Sequence, residues 1–213
     1  MRIGIIGATG KAGSLIADEA ERRGHHVTAI VRDSSKVKNL SLNILEKEVF
    51  QLTGADLQPF DVVVNAFGAI PGQEQQHTEA GRSLIKALKE APDTRLIVVG
   101  GAGSLYVDEA KSIRVMDTAE FPKEYLPTAS SQGQNLADLQ QAEGINWTFL
   151  SPAAFFDPAG KRTGSYTKGG DRLIVNSKGN SYISYSDYAI AIVDEVEQAA
   201  HRNERFSVVG ETE

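Results

Sequence analysis

The sequence predicts an α/β fold, a parallel sheet with helices packed on its faces. Two observations carry that expectation. Strand-like apolar runs alternate with amphipathic helical segments along most of the chain. A glycine-rich turn, GIIGATGKAGS (Gly4 to Ser14), joins the first such run to the first helical segment. At 213 residues the chain fits one ordinary domain. It shows no repeats, low-complexity tracts or linkers.

The first strand is Arg2 to Ile6, and a helix from about Lys11 to Arg23 follows, with Gly24 placed to end it. Strand two is His26 to Val31, and a short strand three covers Asn43 to Glu46. Strand four is DVVVNAF, Asp61 to Phe67. A helix over about Gln73 to Glu90 sets Ala80, Leu84, Ala87 and Leu88 on one face. Strand five, Arg95 to Gly101, precedes a helix over about Ala129 to Glu143 and strand six, Asn146 to Ser151. After Pro152 the texture becomes polar and glycine-rich, and Gly169-Gly170 between two strand-like pieces predicts a small hairpin. Ser186 is expected to cap a helix from about Asp187 to Ala200, with RFSVVG as the last strand. The expectation is one domain over 1–213, with about 153–186 forming part of a small carboxy-terminal substrate lobe.

Composition narrows the function. Hydrophobic residues at 41% and charged residues at 23% are ordinary for a globular protein. A net charge of −6 argues against a nucleic-acid surface, which needs clustered Lys and Arg. The absence of cysteine removes disulfides, thiolate metal sites and cysteine nucleophiles. MRIGIIG opens on a strand and lacks signal-peptide features, and no apolar run approaches the ~20 residues of a membrane span. A cytoplasmic protein with no membrane partner is therefore expected. The histidines at 25, 26, 77 and 201 show no metal spacing, and no Gly-x-Ser-x-Gly elbow is present.

The glycine turn admits two readings. A triphosphatase loop needs Gly, four residues, then Gly-Lys-Ser or Gly-Lys-Thr. Here Ile5 stands where the first glycine belongs and Ala12 where the magnesium-binding hydroxyl belongs, so that reading fails. Gly7-x-x-Gly10-x-x-Gly13, leaving a strand and opening a helix, fits a dinucleotide loop. Gly7 would permit the tight turn, Gly10 the approach of phosphate, and Gly13 the packing of helix on sheet, with free amides around Gly10 to Ala12 binding the anion. After strand two the chain reads VRDSS. An acid there binds the adenosine ribose, whereas an arginine pairs with a 2′-phosphate. Arg32 directly follows the strand and Asp33 suits a helix cap, so NADP(H) is favoured over NAD(H), with Lys11 and Lys36 adding positive charge.

With GATGKAG, VRD, NAFGA, VVGGAGS and WTFLSPAAFFDP in order, the chain resembles atypical short-chain dehydrogenases/reductases over essentially its full length. Within them it is similar to the NAD(P)H-binding group of proposed NADH-flavin reductases, NmrA-like proteins and biliverdin-IXβ reductases. The resemblance implies a doubly wound Rossmann sheet of order 3-2-1-4-5-6-7. It implies that Gly7, Thr9, Gly10 and Lys11 line the phosphates and Arg32 meets the adenosine phosphate. Glu48 and Val49 would flank the adenine, and Ala66, Phe67 and Gly68 the nearer ribose. Gly100, Gly101 and Ser104 would border the nicotinamide from one side, and Pro152, Ala153 and Phe155 from the other.

The chain departs from that family in one respect. None of its six tyrosines has a lysine four residues later, and Tyr125, nearest the usual place, is followed by Ala129. The tyrosine–lysine pair that exchanges a proton with an alcohol is absent. Ser104 is then the candidate catalytic group, its alternative being a loop serine that satisfies backbone amides. Phe155 and Phe156 sit at the rim where a planar acceptor would stack, or pack the lobe onto the sheet. The reading is an NADPH-dependent reductase passing hydride to a planar acceptor, a free flavin or a quinone. The alternative is a non-catalytic NADP(H) redox sensor of the NmrA type.

Overall fold

The structure, a computed structural model, describes residues 1–212. In chain order the elements are β1 (Arg2–Ile6), α1 (Lys11–Arg22), β2 (His26–Val31), β3 (Asn43–Glu46), α2 (Gly54–Leu57) and β4 (Val62–Asn65). There follow α3 (Gln76–Leu88), β5 (Arg95–Val99), α4 (Leu126–Gln140) and β6 (Asn146–Ser151). The last are β7 (Phe155–Asp157), β8 (Thr167–Gly169), β9 (Tyr182–Ser184), α5 (Tyr185–Gln198) and β10 (Glu204–Val209).

The main sheet runs β3-β2-β1-β4-β5-β6-β10-β8, parallel throughout except for β8, which pairs antiparallel with β10. This is a doubly wound Rossmann-like sheet. Strand order reverses between β1 and β4, which opens a crevice at their carboxyl ends. Side chains alternate across the sheet. Ile3 and Ile5 of β1, Val62 and Val64 of β4 and Ile97 of β5 join one core with Ile16, Ala17 and Ala20 of α1 and Tyr188 and Ile192 of α5. Ile6, Val63, Leu96, Val98 and Phe149 join the other with Leu84 and Leu88 of α3 and Leu136 and Leu139 of α4. Because both faces are covered, the strands read as nearly continuous apolar runs.

Local signals place the helix ends. Gly24 takes φ +82°, and His25 N–H donates to Ala20 O (3.1 Å) while Gly24 N–H donates to Glu21 O (2.8 Å), which closes α1 with a Schellman turn. Ser184, not Ser186, caps α5, its Oγ accepting from Asp187 N–H at 3.0 Å. The helix therefore starts two residues earlier than the expected Asp187. Likewise α4 begins at Leu126 with Pro127 in its first turn, where a missing N–H costs nothing.

The hairpin expected at Gly169-Gly170 does not form. β8 pairs with the free edge of β10, while Leu173 N–H donates to Tyr106 O and Tyr106 N–H to Asp171 O, both at 2.9 Å. Both strand-like pieces thus satisfy their backbone against separate neighbours rather than each other. Phe155–Asp157 instead pairs in parallel with Tyr182–Ser184. Among the described residues no helix is long and apolar enough to cross a membrane, and no acid–histidine group is arranged for a metal.

Two buried carboxylates tie the loop after β7 to the helices beneath it. Asp187 of α5 accepts from Thr163 N–H (2.9 Å), Thr163 Oγ1 (2.8 Å) and Gly164 N–H (2.8 Å). Glu19 of α1 pairs with Arg22 and Arg23 at 2.7 Å and with Arg162 at 2.9 Å. Burial pushes the Glu19 carboxyl up, but hydrogen bonds from Arg22, Arg162 and Arg23 outweigh it and bring the group down to about 2 from 4.5. A carboxyl depressed on folding stabilises fully above its unfolded pKa and loses that contribution as pH falls through the folded one. Melting temperature is therefore expected to drop on acidification from pH 4.5 toward 2. Glu19→Gln should cost about 2 kcal/mol at neutral pH and flatten that acid limb, read by circular-dichroism melts. An acid limb as steep in the variant as in the wild type would show that other groups govern it.

Candidate functional site: the crevice at the β1–β4 switch point

The crevice starts at Gly7, which turns the chain out of β1 at φ +75°, a conformation open to glycine. A Cβ there would lie 2.5 Å from the Ala66 carbonyl oxygen, so the turn presses directly on the end of β4. Gly13, buried in α1, presses on Gly7 in turn: its Cβ would collide with the Gly7 carbonyl. Gly10 differs, being exposed, with an added Cβ 3.2 Å from the same oxygen. Two glycines thus bring strand and helix together, and the third leaves the loop's outer surface bare.

That surface holds unspent donors. Gly10, the N-cap of α1, offers no side-chain acceptor, and the first bond into the helix is Ser14 N–H to Gly10 O at 2.9 Å. The amides of Lys11, Ala12 and Gly13 have no protein acceptor. Together with the helix dipole they form a cradle for a phosphate, and exposed Thr9 and Lys11 stand beside it. The glycine loop therefore fits the pyrophosphate of a dinucleotide.

At the end of β2, Arg32 and Asp33 have different partners. Asp33 is spent on local structure: its Oδ1 accepts from Ser35 N–H (3.1 Å) and Ser35 Oγ (2.6 Å), and Lys36 lies 3.3 Å from Oδ2. The hydrogen bond from the Ser35 hydroxyl and that from Lys36 draw its carboxyl below the ordinary range. Arg32 is exposed and makes no hydrogen bond or ion pair among the described residues. Glu48, exposed, precedes a short 3-10 turn, whereas the side chain of Val49 is buried in the core with Ile6 and Ile30, leaving only its backbone to the crevice.

The β4 end is shaped by Asn65, whose buried Oδ1 accepts from Phe67 N–H at 3.1 Å. Ala66 and Phe67 are half-buried and Gly68 is exposed. The Phe67 ring meets Phe50 and His77 edge-on at 5.8 and 5.7 Å. Burial lowers the His77 pKa, with Glu74 opposing, so the imidazole in this wall is neutral at neutral pH.

At the ends of β5 and β6, Gly100 N–H donates to Leu150 O at 2.8 Å, and Phe149 fills the space a side chain on Gly100 would need. Gly101 is likewise crowded, by the amide of Gln132. Pro152 and Ala153 are buried, and Ala154 N–H donates to Ser181 Oγ at 3.1 Å. Phe155 is 61% exposed beside the Tyr182 ring, 5.8 Å between centroids. Phe156 packs inward, 3.9 Å from Tyr185 and 4.7 Å from Tyr188, whose hydroxyl donates to Leu150 O at 2.7 Å. Of the two adjacent aromatics, Phe156 packs the lobe onto the sheet and Phe155 stays exposed at the rim.

Ser104 lies buried beneath the loop after β5. Arg205 Nη1 donates to its carbonyl at 3.1 Å and its Oγ at 3.3 Å, while Arg205 Nε donates to Asp171 Oδ1 at 2.7 Å. The loop is thereby fastened to β10 and to the segment after β8. Arg205, Asn65 and Gln132 were not singled out from the sequence. Nothing local in the sequence links Arg205 to Ser104 or Gln132 to Gly101, which lie far apart in the chain. Asn65, two residues before Phe67, is by contrast open to an Asx-turn reading.

A family model described as NAD(P)H-binding matches residues 7–199. The uncharacterized protein YwnB of Bacillus subtilis is 70% identical over 213 residues, all of both chains. The crystal structure of SP1627 from Streptococcus pneumoniae TIGR4, a proposed NADH-flavin reductase, superposes with a TM-score of 0.94 at 44% identity, covering 99% of this chain and 100% of that one. Phenylcoumaran benzylic ether reductase TP7 of Nicotiana tabacum is 26% identical over 90% of this chain, which spans 64% of that enzyme.

Gly10→Asp is expected to abolish dinucleotide binding at a modest cost in stability, because it sets a carboxylate on the phosphate cradle and needs only a small shift from the Gly7 carbonyl 3.2 Å away. Gly13→Ala should instead lower stability by about 1–3 kcal/mol, since its methyl has nowhere to go. Nicotinamide fluorescence titrations and thermal melts on both variants check the pair. A Gly10→Asp protein that still bound the dinucleotide would overturn the loop assignment.

Proposed function

The chain belongs to the NAD(P)H-binding family, and from that premise we propose that it is an NADPH-dependent reductase transferring hydride to a planar acceptor, a free flavin or a quinone. The observation carrying this reading is the open crevice behind the glycine loop, with the unpaired Arg32 at its far end and no tyrosine–lysine pair at its centre. The amides of Lys11 to Gly13 and the Lys11 side chain hold the pyrophosphate. Arg32 pairs with a 2′-phosphate, while Asp33, occupied by its cap, is withdrawn from a ribose. Glu48 and the Val49 backbone border the adenine, and Ala66, Phe67 and Gly68 the nearer ribose.

The bound nicotinamide supplies the hydride. The protein's part is position and exclusion of water. Gly100 and Gly101 on one side and Pro152 and Ala153 on the other bound the slot for the ring. Phe155, exposed at the rim and flanked by Tyr182, offers a face on which a flat acceptor stacks. Reduction of a flavin or quinone draws its proton from solvent, so the missing proton donor is no obstacle. The likeness to SP1627, a proposed NADH-flavin reductase, supports the same acceptor class. Ser104 acts beside the nicotinamide by fixing the loop through Arg205.

The decisive measurement is loss of nicotinamide absorbance with NADPH or NADH and a panel of flavins and quinones. Saturable oxidation, faster with NADPH, is expected. Cofactor binding without turnover on any acceptor would favour the redox-sensor reading, in which NADP+ and NADPH bind two conformations unequally. Arg32→Ala should raise the KM for NADPH by about tenfold and leave that for NADH unchanged. Equal effects on both would remove Arg32 from the site. Ser104→Ala keeps the carbonyl contact to Arg205, so turnover at saturating NADPH should fall by less than about tenfold. An unaltered rate would show that the Oγ contact to Arg205 does not matter to turnover.

A further inference from the structure

Gln132 lies on α4 one turn beyond Ala129, the residue standing where related reductases carry their lysine. Its side chain is half-buried and has no hydrogen-bond partner among the described residues. The amide leans on Gly101: a methyl on that glycine would collide with Oε1 and lie 3.2 Å from Cδ, yet 3.9 Å from Nε2. Oε1 therefore faces the loop and the two Nε2 hydrogens point away from it, unspent.

The surroundings repeat this pattern. Only two buried side-chain polar atoms lack partners among the described residues, Asn135 Oδ1 and Ser151 Oγ. Asn135 follows Gln132 by three residues on the same helix. Ser151 ends β6, next to the residue whose carbonyl accepts from Gly100. By strand alternation it shares a face with Phe149, the face that α4 covers. Asn135 Oδ1 faces Gly81 of α3, so the polar capacity left unused where α4 meets the ends of β5 and β6 is that of Ser151 Oγ and the Gln132 amide. A buried polar group without a partner is costly, so such a concentration points to something from outside the chain.

We propose that Gln132 is an acceptor-binding residue, donating its Nε2–H to a ring carbonyl oxygen of the planar acceptor. The inference rests on the reductase reading above. In that reaction a C–H bond of NADPH breaks with both electrons, a bond to hydrogen forms on the acceptor ring, and NADP+ remains. The added electron pair raises the negative charge on the conjugated carbonyl oxygen, and the Gln132 hydrogen bond strengthens with it. The acceptor then takes its proton from water. An amide lends a hydrogen bond without giving up the proton, so Gln132 suits an acceptor that needs polarisation and has no use for a general acid.

The test uses the full-length protein, Gln132→Leu and Gln132→Glu, with FMN and menadione as probes. Calorimetric titration of each probe into the NADP+-loaded proteins is paired with NADPH titrations, melts and stopped-flow single turnovers. Gln132→Leu should weaken probe binding and slow hydride transfer about five- to tenfold, with the NADPH dissociation constant held within about twofold. Gln132→Glu keeps the side chain's size, removes the donor and should do more harm. It also separates lost donation from any packing defect in Gln132→Leu. Probe affinities and rates equal to wild type in both variants would overturn the assignment while leaving the reductase reading intact. A wild-type protein that holds NADPH but binds neither probe would overturn both.

Discussion

The contact between Gly7 and Gly13 is the constraint on which the rest of the site depends. The Gly7 carbonyl fills the space of a side chain on Gly13, and Gly7 itself abuts the Ala66 carbonyl. These two approaches bring α1, β1 and β4 to distances no side chain would permit. The first-turn amides of α1 are aimed, in consequence, across the sheet's switch point. Without that approach the helix would stand off from the sheet, and its dipole would act on water.

A second layer of contacts holds what lies above the crevice. The chain after β7 is polar and has little regular structure, so apolar burial alone cannot order it. Glu19 fastens it from below through Arg162 and Asp187 through Thr163 and Gly164, and Tyr166 adds a 2.6 Å bond to Asp194. On the opposite face Arg205 gathers the loop after β5 and the segment after β8 onto β10. These charges sit in or near the interior and are matched there, which makes them devices of position more than of stability. The loops that would flank a nicotinamide are thus fixed by ion pairs reaching back to the scaffold.

Chemical economy follows from that scaffold. Asp33 is tied to its own turn and Arg32 is left free, so one dipeptide supplies both a cap and a cation. Phe156 packs inward on Tyr185 and Tyr188 while Phe155 stays at the rim. In each pair, one residue builds and its neighbour faces outward. Under the proposed reductase reading, such a site binds and orients and leaves electron transfer to the cofactor.

The sequence by itself determined the sheet, the glycine loop and the capping of α1. Strand alternation, helix periodicity and the spacing Gly7, Gly10, Gly13 are local signals, and β1, β2, β3 and β6 begin and end where those signals place them. Only the tertiary structure decided the polar segment after Pro152. There β8 joined the edge of β10 and β7 found β9, because backbone pairing partners in a weakly apolar stretch are chosen by which edges are free. It also decided the fate of single polar groups: Ser104 beneath Arg205, Val49 in the core, Gln132 against Gly101. These are contacts between residues far apart in the chain, set by how β5, α4 and β10 come to lie together, and no local pattern encodes them.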